Sequence, residues 1–428
     1  MDTDPLQLPV EVWGKVFACL KPNCKSLQDV YTRPDKAVAQ QAQLHQLRLV
    51  CTKFNEVIEQ HPELLDQLVP GRLSWQSWPS LLRWLQRYRS NVRIFMPFCS
   101  ADCQTLLLGA LACPSSQLTE VFLLESGMPH IHALSVFTTI TKCSLSDPEN
   151  NEMDLKPLHG LHSLQDMCLE YGRYSNVPIS SHLTRLDVDN SIASCVQLAC
   201  GTPGLKDLIV YNAELFALHD DGVLSCSGLT SLDVLNCAIS GSHTGAHFTL
   251  GKDYMLCIPP NISTLTQLRQ LRVAMTTVSN GLGASWTYCL TSLNSLDLLI
   301  EGVVTLSHDL TQLQQLTMLT VAAEPWCESD LLEGAASMAR FEVDWKAMHN
   351  LQRIVLSGYM ILLDNIQEVS LLKDLSFVSI TDVHPGDCQT VVHLARLANN
   401  LAANRPHVQF KVETPVVPVA SAALTDSD

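Results

Sequence analysis

Long uninterrupted apolar segments are missing from this sequence, although 46% of its 428 residues are hydrophobic. A membrane-spanning helix needs roughly 18 or more consecutive apolar residues, and the longest obvious run, residues 106–112, is far shorter. The N-terminal residues Met1, Asp2 and Thr3 also lack the basic and apolar regions of a secretory signal. We therefore expect a folded protein that does not bind membranes and acts in the cytoplasm, the nucleus or both.

Basic residues are scarce relative to acidic ones. The chain has 27 Lys and Arg residues against 43 Asp and Glu residues, which gives a formal net charge of −16. Proteins bind nucleic acid mainly through contacts of Lys and Arg with phosphates, so nucleic acid is not expected as a partner. A neutral or basic protein partner fits this charge better.

Recognisable catalytic and metal-binding patterns are also lacking. The 16 cysteines include no pair with the two-residue gap typical of a zinc knuckle, and spacings such as Cys99 with Cys103 or Cys195 with Cys200 do not fit. The glycine pair in residues 281–283 is isolated and lacks the lysine of a nucleotide-binding loop. The sequence therefore predicts reduced thiols that serve packing, with no cofactor, no metal and no catalytic site.

Two apolar stripes with helical spacing lie in the N-terminal part of the chain. The first begins after Leu8 and Pro9, where proline suits the first turn of a helix. The first apolar stripe contains Trp13, Val16, Phe17 and Leu20, and the second apolar stripe contains Leu44, Leu47, Val50, Cys51, Phe54 and Ile58. With a short third stripe at Leu64, Leu65 and Leu68, the pattern predicts a three-helix module. The apolar stripes alone are more typical of the core of any small helical domain.

The pattern Leu-Pro-x-Glu-Val that begins at Leu8, taken with residues 47–54, resembles the F-box motif. In that family the Leu-Pro pair and the apolar positions of both helices insert into a groove on the adaptor Skp1. The resemblance implies that Skp1 is contacted by Leu8, Pro9, Val16, Phe17, Leu20, Leu47, Val50, Cys51 and Phe54. An insertion at about residues 21–43 separates the two stripes, where the family usually has a short connection; surface loops tolerate such additions.

A unit of the form Leu-x-x-Leu-x-Leu recurs along the rest of the chain. Unambiguous copies begin at Leu183, Leu205 and Leu229. Further copies begin at Leu164, Leu268, Leu293, Leu316, Leu351 and Leu372, with fainter ones at Leu118 and Ile140. Most starts lie about 19 to 25 residues apart, so the array resembles leucine-rich repeats. In such a unit the last two apolar residues face inward from a short strand, and stacking buries every coil.

The residues two, four and six positions after each first leucine are predicted to lie on the concave face of this array. Acidic residues dominate these positions. The residues predicted to bind a protein substrate are Arg185, Asp187, Asp189, Asp207, Tyr211, Asp233, Arg272 and Asp297. This composition predicts a preference for a basic segment, although a solvated sheet face that binds nothing fits the pattern equally well.

The predicted fold is a small all-α F-box module followed by an α/β leucine-rich-repeat solenoid, a curved parallel sheet with short helices and loops on its convex side. Its expected segments are an F-box module at 1–68, a linker and capping helix at 69–91, the solenoid at 92–412 and a disordered tail at 413–428. The resemblance implies a non-catalytic substrate-recognition adaptor of a Skp1–cullin–F-box ubiquitin ligase. The alternative is a leucine-rich-repeat interaction scaffold outside any ubiquitin ligase.

Overall fold

The structure of the chain is a computed structural model that divides into two compact units. Unit 1 comprises Met1–Cys226 with Ile239–Thr244, and unit 2 comprises Ser227–Ala238 with Gly245–Asp428. The structure describes residues 66–70, 78–124, 127–147, 149, 151–178, 181–195, 204–211, 214–217, 226–235, 238–240, 260–276, 287–301, 303–323, 338–358, 360–362, 366–381 and 388–413. The predicted F-box motif and all but the first residue of the predicted tail lie outside these residues.

Unit 1 contains two parallel sheets. Its strands are β1 (Gln67–Leu68), β2 (Ile94–Phe95), β3 (Glu120–Leu123), β4 (Lys142–Ser146), β5 (Glu152–Asp154), β6 (Asp166–Glu170), β7 (Arg173–Ser175), β8 (Arg185–Asp189), β9 (Ile192–Cys195), β10 (Asp207–Tyr211) and β11 (Glu214–Ala217). The long sheet has the order β1-β2-β3-β4-β6-β8-β10, and each neighbouring pair is parallel. A second, parallel sheet contains β5-β7-β9-β11 in this order, so each of the four coils from β4 to β11 contributes one strand to each sheet.

Unit 2 repeats this plan. Its strands are β12 (Ser231–Leu235), β13 (Ala238–Ser240, whose last two residues belong to unit 1), β14 (Gln270–Thr276), β15 (Ser295–Glu301), β16 (Val303–Leu306), β17 (Met318–Ala323), β18 (Met338–Phe341), β19 (Arg353–Gly358), β20 (Met360–Leu362), β21 (Phe377–Thr381) and β22 (Gln409–Glu413). Its long sheet has the order β12-β14-β15-β17-β19-β21-β22, and a short sheet has the order β16-β18-β20. All the recorded pairings are parallel.

The helices bury one face each, as their apolar spacing requires. They are α1 (Trp78–Tyr88), α2 (Ala101–Leu111), α3 (Met128–Leu134) and α4 (Cys388–Asn404). In α2 the buried residues Gln104, Leu107, Leu108 and Leu111 follow helical spacing. Short 3-10 turns connect strands at Arg89–Asn91, Lys156–Gly160, Pro260–Thr264, His308–Gln312, Trp345–Ala347 and Ile366–Leu371.

The core follows directly from the repeated leucines. In the copy that begins at Leu183, the residues Leu183, Leu186 and Val188 have no exposed surface. The register places Leu186 beside Met167 on one side and beside Leu208 on the other, so equivalent residues of successive coils stack. This arrangement confirms the predicted α/β leucine-rich-repeat array.

The long sheet of unit 1 also includes β1, which lies N-terminal to residue 92, the predicted start of the solenoid. The sequence predicts a short helical stripe that includes Leu68, and this prediction is wrong at Leu68, because parallel pairing with β2 holds its backbone extended. Gln67 and Leu68 pair with Ile94 and Phe95. A two-residue strand is too short to show alternation of apolar and polar residues, so the repeat pattern does not reveal it. Helix α1 lies within the segment 69–91 for which the sequence predicts a capping helix.

Candidate partner-binding face

The outer face of unit 1 is the side of its long sheet opposite to the buried leucines. Because side chains alternate along a strand, every second residue of β4, β6, β8 and β10 lies on it. We define this outer face by Lys142, Ser144, Ser146, Asp166, Cys168, Glu170, Arg185, Asp187, Asp189, Asp207, Ile209 and Tyr211. The parallel register arranges these side chains in three rows that cross the strands.

The first row alternates in charge. Across the strands it reads Lys142, Asp166, Arg185 and Asp207. The ammonium of Lys142 lies 3.8 Å from the carboxylate of Asp166, and Nε of Arg185 lies 4.0 Å from the same carboxylate. Burial lowers the pKa of Arg185, but its hydrogen bond to Asp187 and the neighbouring carboxylates more than offset this and raise it. The cations of this row are therefore already engaged.

The second and third rows carry carboxylates in excess. The second row contains Cys168 and Asp187, and the third contains Glu170, Asp189 and Tyr211. Arg185 donates to Asp187 over 3.3 Å, whereas the recorded partners of Glu170 and Asp189 are the Cys168 thiol and the Asn190 side chain and backbone. Neither carboxylate forms an ion pair within the part of the chain that the structure describes. These rows thus offer negative charge to a partner.

Burial and mutual repulsion raise the pKa values of these carboxyls. Burial raises the pKa of Glu170, with further contributions from the charges of Asp189 and Asp187. Burial also raises the pKa of Asp189, and the neighbouring charge of Asp187 adds to it. The pKa of Asp187 is raised by burial even though Arg185 opposes the shift. A cation placed beside these groups would stabilise their ionised forms.

On the long sheet of unit 2, a single arginine lies between two carboxylates on the neighbouring strands. Nε of Arg272 lies 3.1 Å from Asp297, and Nη1 lies 3.8 Å from Asp233. Burial raises the pKa of Asp297, and the charge of Arg272 opposes this shift. Between the strands β19 and β21, the Arg353 guanidinium stacks over the Phe377 ring at 4.5 Å. Charges on this surface are more nearly balanced than on the outer face of unit 1.

The structure therefore divides the residues predicted for substrate binding into two groups. Arg185, Asp187, Asp189, Asp207 and Tyr211 lie together on the outer face of unit 1. Asp233, Arg272 and Asp297 lie together in unit 2. The Skp1-binding residues predicted from the F-box resemblance, Leu8, Pro9, Val16, Phe17, Leu20, Leu47, Val50, Cys51 and Phe54, lie outside the described residues.

Three charged residues, Lys142, Asp166 and Glu170, lie on the outer face of unit 1 although they are missing from the set predicted to bind substrate. Lys142 is two positions after Ile140, where the repeat pattern is faint, yet the offset rule for clear repeats applies to it. Glu170 is six positions after Leu164 and obeys the same rule. The offset rule thus already places Asp166 and Glu170 on the concave face, and applying it to the faint copy at Ile140 identifies Lys142 as well.

Several titratable side chains serve structure. His130 is 1% exposed, its Nδ1 accepts from the Gly127 amide at 2.8 Å, and its Nε2 lies 2.8 Å from the Ala101 carbonyl. An amide nitrogen only donates and a carbonyl only accepts, so this ring is neutral and protonated on Nε2. Burial raises the pKa of the Cys143 thiol to about 12, which keeps this thiol protonated and unreactive. These groups are part of the packing.

Within the described ranges, no group of three or more His, Cys, Asp or Glu residues is placed to hold a metal ion. No helix in those ranges is long and apolar enough to cross a membrane. Among the described residues, Cys99, Cys103, Cys113, Cys143, Cys168, Cys226 and Cys289 form no disulfide bond, and Cys99, Cys143 and Cys226 are buried. Cys143 and Cys226 have no exposed surface, which is the packing role that their positions in the repeats predict.

No family model matches the sequence, and no curated protein matches it. Solved structures do match. The leucine-rich-repeat protein LIC12759 of Leptospira interrogans is 13% identical, with a TM-score of 0.44, over 77% of this chain and 80% of that one. The internalin InlF of Listeria monocytogenes is 14% identical, with a TM-score of 0.40, over 82% and 88% of the two chains. The Arabidopsis receptor kinase HAESA was solved in complex with a peptide hormone and a co-receptor. It is 18% identical, with a TM-score of 0.37, over 64% of this chain and 48% of that one. Because these similarities are low, the fold assignment rests on the strand register and the repeat spacing.

Proposed function

We propose that this chain is a non-catalytic interaction protein whose repeats hold a target protein on the outer face of unit 1. The observation that carries the proposal is the excess of carboxylates in the second and third rows. Arg185 is engaged by Asp166 and Asp187, and Glu170 and Asp189 have no ion pair among the described residues. A partner with Lys or Arg side chains supplies the missing cations through charge-assisted hydrogen bonds.

The neighbouring residues favour a cationic side chain. Tyr211 lies beside Asp189 in register, and Ile209 lies beside Asp187. An aromatic ring attracts a cation through its π face, and apolar surface accommodates the methylene stem of Lys or Arg. The proposed target segment is therefore basic, which agrees with the net charge of −16.

Capture of partners by the intact chain tests this function. The variant Glu170→Gln, Asp187→Asn, Asp189→Asn removes the charges and retains the shapes, so proteins captured by the wild-type chain should be lost or bound at least tenfold more weakly. The matched control carries Glu152→Gln, Asp102→Asn and Asp374→Asn, which are exposed positions that none of the three rows includes. Capture that is unchanged by the first variant would contradict the proposal.

The finer proposal is that the chain acts as the substrate receptor of a Skp1–cullin–F-box ubiquitin ligase. The Leu-Pro-x-Glu-Val start at Leu8 and the Val-Cys-x-x-Phe end at Phe54 support it, by resemblance. In this role the chain forms and breaks no bond. It raises the effective concentration of its target near a ubiquitin-loaded enzyme, which leads to ubiquitin-dependent degradation. The corresponding segments are an F-box at 1–68 with its insertion at about 21–43, a linker and cap at 69–91, the repeats at 92–412 and a tail at 413–428.

Co-expression with a Skp1 adaptor separates the ligase role from that of a scaffold. We expect a stable complex with the intact chain, and we expect the variant Leu8→Ala, Pro9→Ala, Phe17→Ala to lose it. The absence of a complex, or a complex that this variant leaves intact, would favour the scaffold. The proposed ligase acts in the cytoplasm, the nucleus or both, where target and cullin are present together.

A further inference from the structure

One segment of unit 1 concentrates arginine and contains no acidic residue. Residues 78–101 include Arg83, Arg87, Arg89 and Arg93, and they include neither Asp nor Glu. The chain as a whole has a formal net charge of −16. This segment is therefore a positively charged part of an acidic protein, and it begins with helix α1.

Helix α1 presents two of these arginines on its exposed side. Pro79, Arg83 and Arg87 are exposed and stand four residues apart, so they form one row along the helix. We name these three residues the basic row of α1. Leu85 and Tyr88 are buried and hold the other side of the helix in the packing of unit 1.

The recorded contacts of the two arginines keep their guanidinium groups at the surface of the helix. Nε of Arg83 donates to the carbonyl of Pro79 over 3.2 Å. The guanidinium of Arg87 lies 5.3 Å from the centre of the Tyr88 ring. Both contacts are made within α1, and both side chains stay exposed, so an acidic partner can approach them from solvent.

The basic row matches the third row of the outer face in spacing and in order. That third row places Glu170, Asp189 and Tyr211 side by side on β6, β8 and β10, with about 4.8 Å between neighbouring strands. Side chains four residues apart on a helix are separated by about 5–6 Å. A helix that crosses these strands therefore places its two arginines opposite the two carboxylates and its proline opposite the tyrosine.

The chemistry of each of these contacts is favourable. A guanidinium forms charge-assisted hydrogen bonds with a carboxylate, and neither Glu170 nor Asp189 forms an ion pair within the part of the chain that the structure describes. Contact between the Pro79 ring and the Tyr211 ring removes apolar surface from water. Two cations and one apolar group thus meet two carboxylates and one aromatic ring.

The two rows cannot meet within one chain. Each of the helices α1, α2 and α3 connects two neighbouring parallel strands, and α1 packs against α2 as α2 packs against α3. Right-handed crossovers place such helices on one side of the sheet, and their buried apolar residues require this to be the side of the core. The outer face lies on the opposite side, so only another molecule can bring a basic row to it.

We propose that unit 1 mediates self-association, in which the basic row of α1 of one copy lies across the third row of a second copy. The two surfaces belong to the same chain and are complementary in charge, which makes a second copy a partner that is always present. A target protein and a second copy use the same carboxylates, so self-association lowers target binding as the chain becomes more concentrated. This last consequence rests on the proposed function, whereas the contact itself does not.

Sedimentation of the full chain over a range of concentrations tests the contact. At low ionic strength we expect the average mass to rise with concentration, and in about 1 M salt it should remain that of one chain, because charges are then screened within roughly 3 Å. The variants Arg83→Glu, Arg87→Glu and Glu170→Arg, Asp189→Arg place like charges opposite each other. Each should weaken self-association at low ionic strength by at least about tenfold.

An equimolar mixture of these two variants provides the sharpest test. In the mixture each altered row meets a row of opposite charge, so self-association should return. The control Lys373→Glu, Arg396→Glu makes the same change in net charge at exposed positions of unit 2 and should associate as the wild-type chain does. The milder variant Arg83→Gln, Arg87→Gln should also weaken association, and it replaces the first variant if that one does not fold.

Three results would overturn the proposal. They are a wild-type chain that stays monomeric at low ionic strength, association that neither arginine variant weakens, and a mixture of folded charge-reversed variants that does not associate. Association weakened equally by the control in unit 2 would show an effect of net charge alone and would likewise overturn it.

Target capture is measured separately, so the two proposals fail in different ways. Self-association through the basic row, together with capture that Glu170→Gln, Asp187→Asn, Asp189→Asn leaves unchanged, supports the self-contact and rejects the proposed function. A monomeric wild-type chain that loses its target through this triple variant rejects the self-contact and supports the proposed function. If both proposals hold, Arg83→Glu, Arg87→Glu captures more target than the wild-type chain at high concentration.

Discussion

Arg185 donates from Nη2 to Oδ2 of Asp187, which lies 3.3 Å away and two positions farther along the same strand. The guanidinium is also 4.0 Å from Asp166 on the neighbouring strand. Because this cation is held at the first and second rows, the third row retains the uncompensated charges of Glu170 and Asp189. Pairing within the sheet thus decides where a basic partner can bind.

Neutralising Asp189 should stabilise the protein at neutral pH. Burial and the charge of Asp187 raise the pKa of Asp189, so the fold favours its protonated form. The stabilisation from protonation is complete below the unfolded-state pKa and is lost as the pH rises through the higher folded-state pKa. We expect Asp189→Asn to raise the free energy of unfolding by roughly 0.2–1 kcal/mol at pH 7. The gain should vanish below about pH 3, where the carboxyl is protonated in both the folded and the unfolded state.

Urea unfolding at the two pH values measures this effect. The exposed Asp374→Asn provides the control and should change the free energy of unfolding little at either pH. Destabilisation by Asp189→Asn at pH 7 would show that its bond with Asn190 outweighs the repulsion.

Alanine should be tolerated at Gly109 and rejected at Gly358. Gly358 has φ +135°, and a Cβ there would lie 2.3 Å from the carbonyl oxygen of Ala323 on the paired strand. Gly358→Ala should therefore cost about 2 kcal/mol or more. No heavy atom lies within 4 Å of a Cβ at Gly109 in α2, so Gly109→Ala should stabilise by about 0.5–1 kcal/mol. Thermal unfolding of both variants checks the opposite signs, and a stable Gly358→Ala variant would contradict the close approach of β17 and β19.

His130 should contribute more to stability than His132, which lies in the same helix. His130 joins the Gly127 amide to the Ala101 carbonyl while buried, whereas His132 is exposed. We expect His130→Ala to lower the free energy of unfolding by about 2–3 kcal/mol, because it leaves buried backbone groups without their partner. His132→Ala should change it by less than about 0.5 kcal/mol. Equal effects in chemical unfolding would contradict the bridging role of His130.

Cys168 should react slowly with alkylating reagents although it is partly exposed. Burial raises the pKa of its thiol, and the charges of Asp187 and Glu170 raise it further. The thiolate is the reactive form, so alkylation at pH 8 should be slower at Cys168 than at the partly exposed Cys103. Differential alkylation read by mass spectrometry gives both rates in one sample. A faster reaction at Cys168 would contradict the acidic surroundings found on this face.

The sequence alone determined the repeat and its inward positions. The spacing of Leu183, Leu186 and Val188 predicts a buried strand, and the structure leaves these side chains without exposed surface. The sequence also places Arg185, Asp187 and Asp189 on one face of the sheet, because the alternation of side chains between the two faces is a local property of a strand. The F-box motif at Leu8 stays a prediction, because it lies outside the described residues.

The tertiary structure alone decided which of these residues act together. The pairing of Arg185 with Asp166, the place of Lys142 in the first row and the burial of Met96 and Phe122 depend on neighbouring coils. Those coils are about 20 residues away in sequence, and a repeat pattern indicates where a side chain points but not what faces it. The register between strands fixes those partners, and with them the excess of carboxylates in the second and third rows of the outer face.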